Sequence, residues 1–115
     1  MIKVIKVKYL KGYLQLITTV NDKEQALEIA RRLVKQGLTA CAQVIGPITS
    51  AYRWRGIIEV STEWLCFIKS KEEIYEEVER IIKEIHPCEV PEIIALPIKK
   101  GTRLLGVVRW GSKKG

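Results

Sequence analysis

The sequence lacks the features that would place it in a membrane or in an oxidising compartment. No apolar run approaches the ~20 residues that a membrane-spanning helix needs, and the N-terminus has no hydrophobic signal core. The three cysteines are odd in number, widely spaced and free of any Cys-x-x-Cys pair, which argues against a disulfide framework and a structural zinc site. A cytoplasmic location with no membrane partner is therefore expected.

The chain also lacks the motifs of common catalytic sites. It has one histidine, no glycine-rich phosphate loop and no recognisable set of nucleophile, base and orienting group. A binding protein rather than an enzyme is therefore predicted.

Acidic residues are absent from the first twelve positions, which explains most of the net charge of +7. Residues 1–12 carry four lysines and residues 112–115 carry two, so the part between them has a net charge of about +1. Basic ends predict at most weak, salt-sensitive contact with polyanions, and no nucleic-acid partner is expected. Residues 1–115 are expected to form a single domain, with 1–12 as a basic N-terminal extension and 112–115 as a basic tail.

Hydrophobic periodicity and turn residues predict an alternation of strands and helices. Strand patterns occur at residues 13–20, 38–55, 57–69, 92–98 and 104–110, and helical patterns at 22–36 and 70–85. Residues 2–9 are interpreted either as an edge strand or as a frayed start of the chain. Ser70 and Glu73 are interpreted as a capping box for the second helix, which Pro87 ends. The order strand, helix, strand, strand, helix, strand predicts an α+β, ferredoxin-like βαββαβ fold with a short C-terminal strand.

The second and third strands of this motif are predicted to form an unusually extended hairpin, interrupted at Gly46-Pro47. Strands of about 13 residues span ~40 Å, more than a domain of this size can cover. The hairpin end carries Tyr52, Trp54 and Ile57, so a homo-oligomer is expected to bury it. Alternation in the strand 57–69 predicts one core-facing side, made of Ile58, Val60, Thr62, Trp64, Cys66 and Ile68.

Candidate site residues concentrate in the connector 86–92, His86-Pro87-Cys88-Glu89-Val90-Pro91-Glu92. Its two X-Pro pairs favour extended geometry for the residue before each proline. His86 is interpreted either as a hydrogen-bonded helix-ending residue, or as a metal ligand or proton-exchanging group in a cleft between subunits. Cys88 would add a thiolate suited to copper or zinc, with further ligands from Glu89, Glu92 or another subunit.

Other candidates lie outside the connector. Cys41 and Cys66 fall among apolar residues and are expected in the core. Glu63 and Lys69 share a strand face but lie ~20 Å apart, so each could line a cleft without pairing with the other. Tyr52 and Trp54 are candidates for interface packing or for ligand stacking.

Five motifs together make the chain resemble the CutA family of divalent-cation-tolerance proteins, from about Leu14 to Trp110. They are Thr18-Thr19, Leu38-Thr39-Ala40-Cys41-Ala42, Ser50-Ala51-Tyr52-Arg53-Trp54-Arg55-Gly56, Glu63 with Lys69, and the connector 86–92. The resemblance implies a ferredoxin-like protomer in a tight homotrimer, a fold related to the nitrogen-regulatory PII signalling proteins, and binding of copper and other divalent ions.

The chain departs from the family pattern at three places. Cys88 stands where tyrosine is usual, the strand predicted at 13–20 reads Leu16-Ile17-Thr18 with no cysteine, and Ile85 precedes the single His86. Of the copper ligands that the resemblance implies, only His86 carries over. The expected function is binding of a divalent metal ion, copper first and not needed for folding, in metal tolerance. The alternative is a PII-like sensor that holds a small anionic ligand against Lys69 and His86 in the cleft between subunits.

Overall fold

The computed structural model describes residues 8–9, 11–39 and 41–101. Between residues 13 and 97 the strands and helices follow one another in the order predicted from the sequence, and a short strand at Lys100–Gly101 was not predicted. The elements are β1 (Lys8–Tyr9), β2 (Tyr13–Val20), α1 (Lys23–Lys35), β3 (Ala42–Trp54), β4 (Ile57–Lys71), a 3₁₀ turn (Glu72–Ile74), α2 (Tyr75–Ile85), β5 (Ile93–Pro97) and β6 (Lys100–Gly101). The predicted strand at 104–110 lies outside the described residues, as does the predicted strand at 2–9 apart from β1.

Four strands form an antiparallel sheet in the order β3-β4-β2-β5, and β1 pairs separately with β6. The central strand β2 alternates strictly, because Leu14, Leu16, Thr18 and Val20 are buried while the residues between them are only partly buried. Its buried side faces a core that α1 and α2 complete with Ile29, Leu33, Val78, Ile81 and Ile82. The fold is therefore a mixed one, with two helices and a four-stranded antiparallel sheet.

Helix α1 begins and ends as its sequence predicts. The carboxylate of Asp22 accepts a hydrogen bond of 2.8 Å from the backbone N–H of Glu24, which satisfies one of the free donors of the first turn. Gly37 follows the helix with a φ of +72°, a left-handed conformation that glycine adopts without strain. Neither α1 nor α2 combines the length and hydrophobicity that crossing a membrane requires.

The predicted capping box of the second helix is wrong. Strand β4 continues to Lys71, so that Ser70 lies within the sheet opposite Leu14. The hydroxyl of Ser70 is buried and donates to the carbonyl oxygen of Leu38 at 2.9 Å, so it caps no helix. Three residues of 3₁₀ turn then lead into α2, whose start has no side-chain cap. Pairing within the sheet therefore overrides the local capping signal.

The hairpin of β3 and β4 extends beyond the body of the protomer, whose longest dimension is 54 Å. The predicted core side of β4 is therefore only partly right. Cys66 and Ile68 are fully buried, but Ile58 and Val60 are 67% and 66% exposed because neither helix reaches them. Alternation identified one face of the strand, but it could not show where the helices stop covering that face.

A shift of register between Ile45 and Ile48 marks the predicted interruption at Gly46-Pro47. Gly46 packs directly on the indole of Trp64, so that a Cβ at Gly46 would lie 2.6 Å from a ring carbon. The same ring lies under Lys23, whose Nζ is 5.4 Å from the ring centroid. Glycine is therefore needed at this bulge for steric reasons.

The Gly46→Ala substitution should lower the free energy of unfolding by about 1–3 kcal/mol, because the indole must move aside to admit the methyl group. Chemical denaturation measures the loss. The Trp64→Leu background is the control, since removing the ring should reduce the cost of Gly46→Ala. An equal cost in both backgrounds would contradict the assignment of the strain to the indole.

Candidate functional site

A cleft of about 180 Å³ opens where β2 ends and the connector after α2 passes over it. Its floor is formed by residues 19–21 at the end of β2 and by Glu63 of β4. Its wall is formed by residues 86–88 and 90–92 of the connector. Residues that are far apart in the sequence therefore meet at one end of the sheet.

The geometry of the connector is set at both of its ends. At the first end, the N–H of His86 donates to the carbonyl oxygen of Ile82 at 2.8 Å, so His86 is the last residue tied to α2. At the other end, the hydroxyl of Thr18 donates to the carbonyl oxygen of Glu92 at 2.8 Å. The segment between these contacts is thereby held against β2.

The imidazole of His86 is buried, and both of its ring nitrogens have partners. Nε2 lies 2.6 Å from the carbonyl oxygen of Thr19, and Nδ1 lies 3.1 Å from the backbone nitrogen of Cys88. A carbonyl oxygen only accepts and a backbone N–H only donates, so Nε2 carries the proton and Nδ1 accepts. The ring is therefore the neutral Nε2–H tautomer.

The groups that face the cleft favour a cation. Glu63 is partly buried, Glu92 is exposed, and the thiol-bearing residue Cys88 lines the same cleft. None of the described residues lining the cleft is a lysine or an arginine. Carboxylates and a thiol are ligands for divalent ions, and an anion would meet only like charge.

The structure brings together some predicted site residues and separates others. Glu63, His86, Cys88 and Glu92 all line the cleft, whereas Glu89 does not. Lys69 lies six residues from Glu63 on the same face of β4, opposite Gln15. Tyr52 and Trp54 are at the hairpin end, opposite Glu59 and Ile57. Lys69 does not line this cleft, and the predicted alternative, an anion held against Lys69 and His86 in a cleft between subunits, stays a prediction.

The described ranges contain no group of three or more His, Cys, Asp and Glu side chains arranged to hold a metal ion. The predicted set of His86, Cys88 and Glu89 is consequently not a complete centre within one protomer. The cleft presents separate donors that need further ligands, or a rearrangement, to enclose an ion.

Sequence reasoning missed the end of β2 as part of the site. Residues 19–21 form the floor of the cleft, and the contact of Thr19 with His86 is made by its backbone carbonyl, which no side-chain motif reveals. Thr18-Thr19 was one of the motifs that carried the family resemblance. That pair of residues was the signal in the sequence that could have pointed to the end of β2.

The three cysteines occupy different environments. Cys66 is buried as predicted, and burial raises the pKa of its thiol from the ordinary 9.0 to about 12. Cys41 is exposed, so its predicted place in the core is wrong. It lies just before β3, two residues after the buried Thr39, and its N–H donates to the Thr39 hydroxyl at 3.2 Å. Cys88 is the exposed thiol at the cleft.

Cys66 should react with a disulfide reagent only after unfolding, whereas Cys41 and Cys88 should be reactive thiols in the folded protomer. Because the unfolded chain ionises Cys66 at a lower pH than the folded chain, the free energy of unfolding should fall as pH rises from 9.0 towards 12. Thiol counting with and without denaturant checks the first expectation. Unfolding curves of wild type and Cys66→Ala check the second, and equal pH slopes would contradict it.

The sheet has a second face, which neither helix covers. Its apolar side chains come from all four strands and alternate with those of the core. They are Ile17, Ile45, Leu65, Phe67, Ile94 and Leu96, of which Ile45, Ile94 and Leu96 are exposed. This open face continues along the hairpin through Tyr52 and Trp54. It is apolar surface of the kind that a protein partner buries.

Comparison with known proteins gives the family. The family model described as CutA1 divalent ion tolerance protein matches residues 14–110. The divalent-cation tolerance protein CutA of Thermus thermophilus is 38% identical over 87 residues, which are 76% of this chain and 84% of that protein. Human protein CutA is 41% identical over 85 residues, 74% of this chain but 47% of the human protein. The chain belongs to the CutA1 family, so the resemblance seen in the sequence is confirmed.

Solved structures agree with this assignment. The Thermus thermophilus divalent cation tolerance protein superposes with a TM-score of 0.79 at 35% identity, covering 85% of this chain and 96% of that one. CutA1 of Oryza sativa also gives 0.79, at 30% identity, covering 90% and 96%. The chain spans about half the length of the mouse and human relatives, so the activities of those longer proteins are not carried over.

Proposed function

We propose that this protein is a homotrimer of ferredoxin-like protomers that binds divalent cations, copper among them, and acts in divalent-ion tolerance as a binding protein rather than an enzyme. The family supports the role at the level of divalent-ion tolerance. The cleft at the end of β2, with its carboxylates and thiol, is the single observation in this chain that supports a cation as the ligand.

The cleft is proposed as one half of the cation site. Glu63, Glu92 and Cys88 supply oxygen and sulfur donors from one protomer, but the described residues do not complete a coordination sphere. Donors from a neighbouring protomer would complete it. A thiolate with carboxylates suits Cu(II) or Zn(II) better than Mg²⁺, which prefers oxygen ligands and retains waters.

The open face and the hairpin support the proposed trimer. In a single protomer, Leu96 is 48% exposed and the apolar end of the hairpin extends past the helices. Association would bury both surfaces and stabilise the assembly by about 25 cal/mol for each Å² of apolar area removed from water. A closed symmetric assembly would bury the same apolar surface on every copy.

A cytoplasmic location stays a prediction from the sequence. Relatives carry names that place them elsewhere, since the rice and Arabidopsis proteins are called chloroplastic and the Archaeoglobus fulgidus protein is called periplasmic. Cell fractionation of the native source tests this part of the proposal.

Leu96→Asp should dissociate the trimer, because a carboxylate buried in an apolar interface loses its hydration without gaining a partner. Light scattering should then give a protomer of 13.2 kDa in place of a species three times larger. Val34→Asp is the matched control, since Val34 is 45% exposed but lies on α1, away from the open face. A wild-type protein that is monomeric at micromolar concentration would contradict the trimer.

Glu63→Gln should weaken the binding of Cu(II) or Zn(II) by about tenfold, because a neutral amide replaces a charged oxygen donor. Glu59→Gln is the matched control, since Glu59 lies four residues along the same face of β4 but outside the cleft. Cys88→Ser with Cys41→Ser as its control makes the same comparison for the thiol. Calorimetric titration measures the affinities.

Equal losses in Glu63→Gln and Glu59→Gln would show that the cleft is not the cation site. A nucleotide panel in the same titrations tests the alternative of a small anionic ligand. Binding of a nucleotide without binding of Cu(II) or Zn(II) would replace the proposed function with that alternative.

A further inference from the structure

We infer that His86 is a positioning residue and not a ligand of the cation. Its imidazole holds the connector 86–92 against the end of β2 and so places Cys88 and Glu92 in the same cleft as Glu63. The two hydrogen bonds of the ring, with Thr19 and with Cys88, are called the clasp. The inference about the ligand rests on the proposed function, whereas the clasp itself does not.

Hydrogen bonding uses both positions at which the imidazole could coordinate. Nδ1 has one lone pair in the ring plane, and that lone pair accepts the N–H of Cys88 at 3.1 Å. Nε2 carries the proton that it donates to the carbonyl oxygen of Thr19 at 2.6 Å. A ligating histidine usually bonds the metal with one nitrogen and donates from the other. Here the nitrogen with the lone pair already has a partner within the chain.

Coordination by His86 would dismantle the clasp in either of two ways. A cation on Nδ1 would displace the N–H of Cys88. A cation on Nε2 would require the proton to move to Nδ1, where it would face the N–H of Cys88, and it would also displace the carbonyl of Thr19. Both routes release Cys88, the thiol that the site would use.

Two adjacent residues of β2 hold the two ends of the connector. The carbonyl of Thr19 holds His86, and the hydroxyl of Thr18 holds the carbonyl of Glu92. Thr18 is itself buried, so its contact is sheltered from water. The connector is therefore fixed at each end to the same strand, and the cleft lies beneath it.

The single histidine of the chain makes a direct test possible. Long-range ¹H–¹⁵N spectra of protein labelled at histidine report one ring, and the free protein should show the Nε2–H tautomer. Titration with Zn(II) should leave this pattern unchanged while calorimetry shows binding. A free ring protonated on Nδ1 would overturn the clasp. A ring nitrogen that shifts to a metal-bound value would overturn the positioning role.

Substitutions give a second test with Cu(II) and Zn(II). His86→Gln keeps an N–H donor that can reach Thr19, so its affinity for the cation should stay within about threefold of wild type. His86→Ala should lose about tenfold or more in affinity, as happens when a residue that orients the metal ligands is removed. Equal losses in the two variants would show that the imidazole itself coordinates.

If His86→Ala fails to fold, Thr18→Val tests the same clasp from its other end. It leaves the histidine intact and should also weaken cation binding, while unchanged affinity would count against the inference. If wild type binds neither Cu(II) nor Zn(II), the proposed function fails, yet the spectrum of the free ring still decides whether the clasp exists.

Discussion

The pairing of β2 with β4 on one side and β5 on the other is the constraint on which the rest of the structure depends. Every second residue of β2 enters the core, which fixes the side on which α1 and α2 pack. The intervening residues belong to the open face. The last residues of the strand form the floor of the cleft. The core, the open face and the cleft are therefore set by one register.

Much of the fold could be predicted because local patterns and tertiary packing agree. The cap at Asp22, the glycine at Gly37 and the period of α2 each favour the structure that the sheet also needs. The predictions fail where the local pattern and the tertiary packing favour different structures. Ser70 carries a capping signal, but its hydroxyl is taken by Leu38. Ile58 alternates like a core residue, but no helix lies over it in the protomer.

The candidate site could be predicted only in part, for a different reason. Side-chain chemistry drew attention to His86, Cys88, Glu63 and Glu92, and these do meet in one cleft. The partners of His86 are a carbonyl and an amide of the main chain, which every residue possesses. A sequence therefore cannot show that an imidazole is already engaged, and a histidine beside a thiol is easily interpreted as a metal ligand.

The reliance of His86 on main-chain atoms has a consequence for the residue at position 88. Because the main-chain N–H of Cys88 makes the contact with the ring, the side chain at position 88 takes no part in that hydrogen bond. A side chain of different size or chemistry can therefore stand at position 88 without removing the hydrogen bond that holds the loop. The chemical character of the crevice can thus be changed at this residue while the main-chain contact stays the same.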